Sequence, residues 1–289
     1  MGPELRLRTP PLMTPITNLG IGVGLRVEHY DEILSNLPAV DYFEIISENF
    51  MVEGGAPLTN LDRFLEHYTI VQHGVSMSLA SADSLDFDYL KKLKRLVQHT
   101  KAPFISDHLC WTRAHTHHYH DLLPLPYTSE YAAFIAEKAR IAQDFLEVPL
   151  GIENLSSYVS FKESTMTEWE FYSEVIQQAG VYMMLDANNI YVSSVNHNFN
   201  PDDYLNQLPF DRIVQVHLAG HTRQDNGLII DSHDNYVCDQ VWDLYAKIYK
   251  RAGGVSTLLE WDDKFIPFNE TLAEAHKARQ YQDVIQHAT

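Results

Sequence analysis

Cysteine is nearly absent from this chain: Cys110 and Cys238 are the only two in 289 residues, and neither sits in a C-x-x-C pair. That count excludes a disulfide framework, a cysteine zinc finger and a thioredoxin-type motif, and the expected compartment is a reducing cytoplasm. Long apolar runs are missing as well. No stretch approaches the roughly 18–20 apolar residues that cross a bilayer, so neither a transmembrane helix nor a membrane partner is expected. Residues 1–19, MGPELRLRTPPLMTPITNL, carry paired prolines and no continuous apolar core, and read as a lead-in rather than a signal peptide. Basic residues are scarce: 21 Lys and Arg stand against 39 Asp and Glu, for a formal net charge of −18. No Lys/Arg cluster interrupts that balance, so a phosphate backbone would be repelled and nucleic acid is not an expected partner. Low-complexity linkers and near-identical repeats are absent too, which leaves 20–289 as one domain.

Histidine, in contrast, is abundant. The 15 imidazoles are roughly double ordinary usage. Together with the surplus acid they are metal-ligand types, and bound cations would offset part of the charge. The densest cluster is HTHHYHD, at 115–121, inside a long 110–128 loop that ends in LLPLPYT. No strand frames these histidines, and only Asp121 adds a carboxylate. The cluster is therefore expected at a pocket edge, with His120 and Asp121 approaching the site most nearly.

Short β-prone runs recur at 21–26, 41–47, 68–73, 103–109, 149–154, 181–187, 212–220 and 256–261. Helical periodicity lies between many of them. Leu85, Leu90, Leu93, Leu96 and Val97 share a face over 85–99. A second helix is expected over 129–147 behind Ser129 as cap, and a third over 167–179, where Thr167 and Glu170 have capping-box spacing. A fourth, over 239–252, is stopped by Gly253 and Gly254. Eight strands alternating with helices favour an α/β chain closed into a (β/α)8 TIM barrel, with a doubly wound sheet as the alternative.

The chemistry sits where the strands end. His73, His108, Glu153, Asp186, His217 and Glu260 each follow an apolar run, about 30 to 45 residues apart, one βα unit per residue. Asn189 follows Asp186 by three in LDANN, and Asp231 and His233 form a D-x-H pair whose side chains share a face if the segment is extended. Such groups converging on a barrel rim leave costly unpaired charge unless cations hold them. Imidazole and carboxylate donors without cysteine suit iron, manganese or zinc. Around them, Asn154 and His221 are placed to hydrogen-bond the ligands, and Glu48, Asn49 and Asn188 to give the pocket polarity. Zinc in this setting makes a hydrolase, and a divalent-metal hydrolase or sugar isomerase is the alternative to iron–dioxygen chemistry. A non-catalytic member that binds a partner protein is a third reading.

Ten fragments, in order, carry a resemblance: GVGLRVEHYDEIL, EIISENF, HGVSMSL, SDHLCW, DLLPLPYT, IENLSSY, LDANNIYVSSVNH, VHLAGH, IDSHD and LLEWD. From about residue 20 to about 275 the chain resembles the multinuclear non-heme iron-dependent oxidases. The resemblance implies a xylose-isomerase-like TIM barrel whose ligand arrangement is similar to that of endonuclease IV-like hydrolases. It implies two or three iron ions, with zinc or manganese as alternatives, and dioxygen-dependent modification of cysteine in a ribosomally made precursor peptide. A peptide-recognition partner protein accompanies many such enzymes, and a homodimer is admitted by the barrel class. By the same resemblance His73, His108 and Glu153 hold one metal, and Glu153 bridges to a second completed by Asp186, His217 and Glu260. Asn189, Asp231 and His233 hold a third, the weakest because an asparagine is a neutral ligand.

Overall fold

In the computed structural model, residues 16–115 and 117–286 are described. The expected lead-in therefore lies outside the described residues up to position 15. The chain runs β1 (Ile21–Gly24), α1 (Tyr30–Asn36), β2 (Tyr42–Ile46), α2 (Ala56–Leu65), β3 (Thr69–Gly74), α3 (Phe87–Thr100), β4 (Ile105–His108), β5 (Trp111–Ala114), β6 (His117–Leu123) and α4 (Ser129–Leu146). It continues through β7 (Leu150–Glu153), α5 (Glu168–Ala179), β8 (Tyr182–Asp186), α6 (Ala187–His197), α7 (Pro201–Leu205) and β9 (Ile213–Leu218). The remainder is β10 (Thr222–Arg223), β11 (Ile229–Ile230), α8 (Asp239–Ala252), β12 (Ser256–Leu259), α9 (Phe268–His276) and α10 (Ala278–Gln286).

All eight expected runs are strands, and they close in the order β1-β12-β9-β8-β7-β4-β3-β2. β1 pairs in parallel with both β12 and β2, so no edge is left and the doubly wound alternative falls. The helices cover the outside through apolar stripes at helical spacing. On α8, for example, Val241, Leu244, Tyr245 and Ile248 are buried, each contributing roughly 1.5–3 kcal/mol. Gly253 ends α8 in the left-handed conformation, and the Thr167–Glu170 capping box starts α5, both as the sequence predicts.

Strand alternation fills the barrel interior in layers. Tyr42, Val71, Phe104, Tyr182, Val214 and Leu258 form a closed apolar cluster, with Ile16 and Leu19 packed against it. Gly22 makes room for this layer: a Cβ there would stand 2.6 Å from the Tyr42 ring, which reaches across to the Thr257 carbonyl. Two residues further along the same strands, on the same face, come Glu44, His73, Ser106 and Glu260. Another step of two reaches His108 and Asp186. The apolar layer is thus a floor, and the polar layer faces the C-terminal mouth.

Two local expectations are corrected. Thr128, not Ser129, caps α4, accepting from the Tyr131 N–H at 3.2 Å. The three-residue spacing of Asp186 and Asn189 is that of a cap: Asp186 is the N-cap of α6, accepting from the Asn189 N–H at 2.6 Å. The 110–128 segment is an antiparallel hairpin of β5 and β6, and the histidine cluster lies largely on β6. Residues 117–122 are exposed whichever way they point, so no apolar alternation announced the strand. Among the described residues no helix is long and apolar enough to cross a membrane.

Candidate metal centre

Strand direction brings the side chains together. Four triads among the described residues hold ligand atoms within 4.8 Å of one another: His73–His108–Glu153, Glu153–Asp186–His217, Asp186–His233–Glu260 and Glu44–His217–Glu260. Shared members link them into one continuous cluster, buried except at half-buried His233. The six strand-end residues meet there.

The hydrogen bonds show which atoms are left free. His108 donates Nδ1–H to the Gly74 carbonyl at 3.0 Å, which leaves Nε2 as a bare lone pair. Burial lowers this imidazole to about pKa 4, so it stays neutral. Its Nε2 nevertheless lies 3.1 Å from Glu153 Oε2, and His73 Nε2 lies 3.2 Å from the same oxygen. The bare His108 Nε2 and the carboxylate oxygen repel at this distance unless a cation, or a proton, stands between them, and His73 Nε2 lies 3.3 Å from the same His108 nitrogen. His73 is tied back at Nδ1 by Ser106 Oγ at 2.8 Å, and burial beside His108 and His217 depresses its pKa strongly. Glu153 Oε2, Asp186 Oδ2, Asn189 Oδ1 and His233 Nε2 are all buried without a well-formed hydrogen bond. In a folded protein such atoms are rare, and of the eleven among the described residues these four belong to the cluster or its immediate neighbours.

Charge is distributed unevenly across the cluster. Burial holds Glu153 well above the usual carboxylate range, and burial with neighbouring Asp231 lifts Asp186 to about 7. Glu260 goes the other way: burial would raise it, but His233, His217 and Arg26 outweigh that cost. His217 and His233 rise despite burial, His217 because of Glu44 and Glu260, His233 because of Asp231 and Glu260. Neutral histidines on one side and proton-seeking carboxylates on the other fit divalent cations, which replace protons at such sites.

The third expected group is only partly assembled. His233 Nε2 lies 2.8 Å from Asp231 Oδ1, so the D-x-H pair does meet. The segment is not extended, however: His233 has φ 48° and is fixed by its N–H on the Gly220 carbonyl at 3.1 Å. Asn189 turns its amide to Glu153 Oε1 at 3.3 Å and to the Asn154 carbonyl, whereas His233 groups with Asp186 and Glu260. Asn188 donates to Asp231 at 2.6 Å and accepts from His221 Nδ1 at 2.8 Å, so both act behind Asp231. Asn154 clamps the Asp186 backbone through both amide atoms.

Two expected pocket residues lie elsewhere. Glu48 accepts from the Val75 N–H and the Tyr89 hydroxyl and braces the exit of β3, and Asn49 is exposed; neither lines the cavity. Three residues at the centre were not foreseen. Glu44 accepts from Gln215 at 2.9 Å and lies 3.1 Å from His217 Nε2, while His217 Nδ1 faces Glu260 at 3.1 Å. Asp262 lies 3.0 Å from His233 Nδ1, and Arg26 Nε donates to Asp262 at 3.0 Å. An acid inside the apolar run YFEII was the available signal for Glu44. Arg26 and Asp262 had none, since they meet across 236 positions.

Above the cluster opens a cavity of about 860 Å³, whose walls include His73, His108, Glu153, His233 and Glu260. Ile46, Val75, Leu122, Leu123, Pro124, Leu155 and Ile230 make much of the remaining wall apolar. His120 and Asp121 line it from β6, at the edge where the sequence put them, and remain solvent-exposed. No Lys or Arg stands among the described lining residues.

Residues 20–283 match the family described as RiPP precursor modification enzyme MbnB/TglH/ChrH. The chain is 48% identical over 261 residues to a UPF0276 protein of Caulobacter vibrioides, covering 90% of this chain and 93% of that relative. Among solved structures, a D-tagatose 3-epimerase-like protein superposes with a TM-score of 0.60 at 14% identity, covering 92% of this chain and 98% of its own. Endonuclease IV from Thermus thermophilus does so at 0.55 and 13%, covering 92% and 99%. At those identities the likeness shows the fold: a xylose-isomerase-like, endonuclease IV-like TIM barrel.

Proposed function

The chain belongs to the MbnB/TglH/ChrH family of RiPP precursor modification enzymes, and from that premise we propose that it is a multinuclear iron-dependent oxidase. In this reading it uses dioxygen to modify a cysteine of a ribosomally made precursor peptide. The supporting observation is the His73–His108–Glu153 contact, where the bare lone pair of neutral His108 faces a carboxylate oxygen with His73 Nε2 beside it, all three side chains buried. His73, His108 and Glu153 would hold one ion. Glu153, Asp186, His217 and Glu260 would hold a second, and His233 with Asp231 and Asn189 would offer a third position. Bound iron supplies the redox chemistry with dioxygen that these side chains lack.

The remaining residues prepare the site. Ser106 and the Gly74 carbonyl hold two rings with Nε2 inward, and Glu44 takes the outer nitrogen of His217. These are the outer partners that keep ligating histidines in one tautomer and orientation. Asp262 does the same for His233, with Arg26 balancing its charge. With no Lys or Arg among the described lining residues, the walls leave a neutral to acidic channel, suited to a peptide side chain and poorly suited to phosphate. Anaerobic purification followed by metal analysis and Mössbauer spectroscopy tests the metal. Oxygen uptake and mass spectrometry of a cysteine-containing precursor test the reaction. A protein that retains only zinc and consumes no oxygen when given iron and peptide ends this reading.

A further inference from the structure

Among the described residues, every other member of the cluster sits on a barrel strand or directly after one, whereas His233 rides on the loop between β11 and α8. It reaches Asp186 and Glu260 with φ at 48°, in the left-handed region. A residue with a side chain stays in that region only where its surroundings leave it no alternative.

Those surroundings centre on the next residue. The Asp234 carboxylate is buried, 4% accessible, and takes four donors: Thr222 Oγ1 at 3.1 Å, Asn235 Nδ2 at 2.8 Å, Ser232 Oγ and Lys264 Nζ. Thr222, Ser232 and Asn235 belong to the same excursion between β9 and α8, which they draw into a ring around the carboxylate. Gly220 closes the ring. Its carbonyl accepts the His233 N–H at 3.1 Å, and a Cβ on it would run into the Asn235 carbonyl, so the two backbones touch.

Lys264 is different, because it comes from the loop between β12 and α9 and its side chain is 67% accessible. The same loop supplies Asp262, whose N–H donates to the His233 carbonyl at 2.8 Å and whose carboxylate lies 3.0 Å from His233 Nδ1. Asp262 thus holds the histidine itself, and Lys264 holds its neighbour. Neither Asp234 nor Lys264 lines the cavity or belongs to a ligand triad. His73, His108 and Glu153 need no such support, since β3, β4 and β7 set their directions.

We propose that Asp234 and Lys264 are positioning residues for the third ion, a clip between two loops that fixes His233 against Asp186 and Glu260 and so sets whether the centre holds two ions or three. This rests on the metal-centre reading above and adds which of its ions depends on the loops. Breaking the clip lets His233 leave its left-handed conformation and withdraw its ring, while the strand-borne ligands keep their places.

The test counts ions. Chelator-treated full chain is titrated with ferrous iron under nitrogen, bound iron per chain is read by equilibrium dialysis, and Mössbauer spectra separate the ions. Asp234→Asn and Lys264→Met should each weaken the last ion to bind by about 10–100-fold, as loss of an outer partner of a ligand does, and leave the tighter ions in place. The spectrum of one ion should vanish while circular dichroism stays unchanged. Lys264→Arg should keep every ion. In the double variant the losses should not add, because both changes break the same contact. A natural protein that binds no iron overturns the metal reading and the clip together, and one that binds at most two ions overturns the clip and leaves that reading standing. Variants that hold the last ion as tightly as the natural protein, or that lose every ion alike, overturn the clip. Should Asp234→Asn fail to fold, Lys264→Met, a change at an exposed side chain, gives the answer.

Discussion

Glu153→Gln should make the metal-free protein more stable and the metal-loaded protein less so. Glu153 is 1% exposed, with Oε1 taking a hydrogen bond from Asn189 at 3.3 Å and Oε2 facing His73 Nε2 and the lone pair of His108 Nε2. Without a cation, the carboxylate is a buried charge without adequate partners, and burial drives it toward its protonated form. A glutamine of the same shape removes that charge. Its amide can donate to one imidazole Nε2, replacing an acceptor–acceptor contact with a hydrogen bond worth about 1 kcal/mol. Relieving the buried charge adds roughly 1–3 kcal/mol. At about 2 °C per kcal/mol for a chain of this size, the variant should melt roughly 4–8 °C above the natural protein in chelator at an alkaline pH that ionises Glu153, and the gap should close as the pH falls and Glu153 takes up a proton.

With metal the order reverses. An ion that binds only the folded state stabilises the natural protein by about 2.7 kcal/mol at a hundredfold excess over Kd. Loss of the residue shared by two triads should cost the variant most of that gain, and elemental analysis should show less bound metal. Differential scanning calorimetry in chelator, and in ferrous iron under nitrogen, reads both arms. A variant that melts lower than the natural protein in chelator, or that keeps its full metal content, refutes the argument from lone-pair opposition.

Other outcomes follow from the same contacts. Asp262→Asn removes the carboxylate beside His233 Nδ1 and should weaken metal binding by about 10–100-fold with the fold intact, as equilibrium dialysis would show. Glu168 is half-buried between the Tyr204 and Tyr127 hydroxyls, and burial lifts it from 4.5 to about 7. The folded state then holds a proton that the unfolded chain releases, so stability falls as pH rises through that window. Glu168→Gln should remove this loss: little change near about pH 4, and up to about 3 kcal/mol of added stability near about pH 8, less whatever solvent screens. A flat difference between the two proteins across pH would contradict it. Replacing His115, His117 and His118 together by Ala should leave metal content unchanged, since His117 and His118 are exposed on β6 and none of the three lines the cavity. Metal loss in that variant would move the centre to the hairpin.

The legible parts of this protein share a cause. A strand sets the direction of its side chains at every second position, so Val71 and His73, or Leu258 and Glu260, had to face the same way whichever neighbours they found. Eight runs implied the barrel, the six that end in such residues implied its polar mouth, and the structure brings those six strand-end groups together. Glu44 obeys the same rule, but it sits in the middle of β2, paired with Val71, rather than at a strand end, so the strand-end pattern does not include it. What escaped depends on turns and long-range closure. His233 reaches Asp186 and Glu260 through a left-handed residue, Arg26 finds Asp262 across the closed barrel, and β6 has no buried face to reveal it. The divide is physical. Residues on strands, whose neighbours are enforced by the ladder, form most of the metal-facing cluster, while the illegible residues sit on loops and the hairpin that face the cavity mouth. The ligand-type residues at strand ends can therefore be read from periodicity, whereas the mouth residues Tyr119, Leu122, Tyr158 and Val159 come together through geometry that no local pattern encodes.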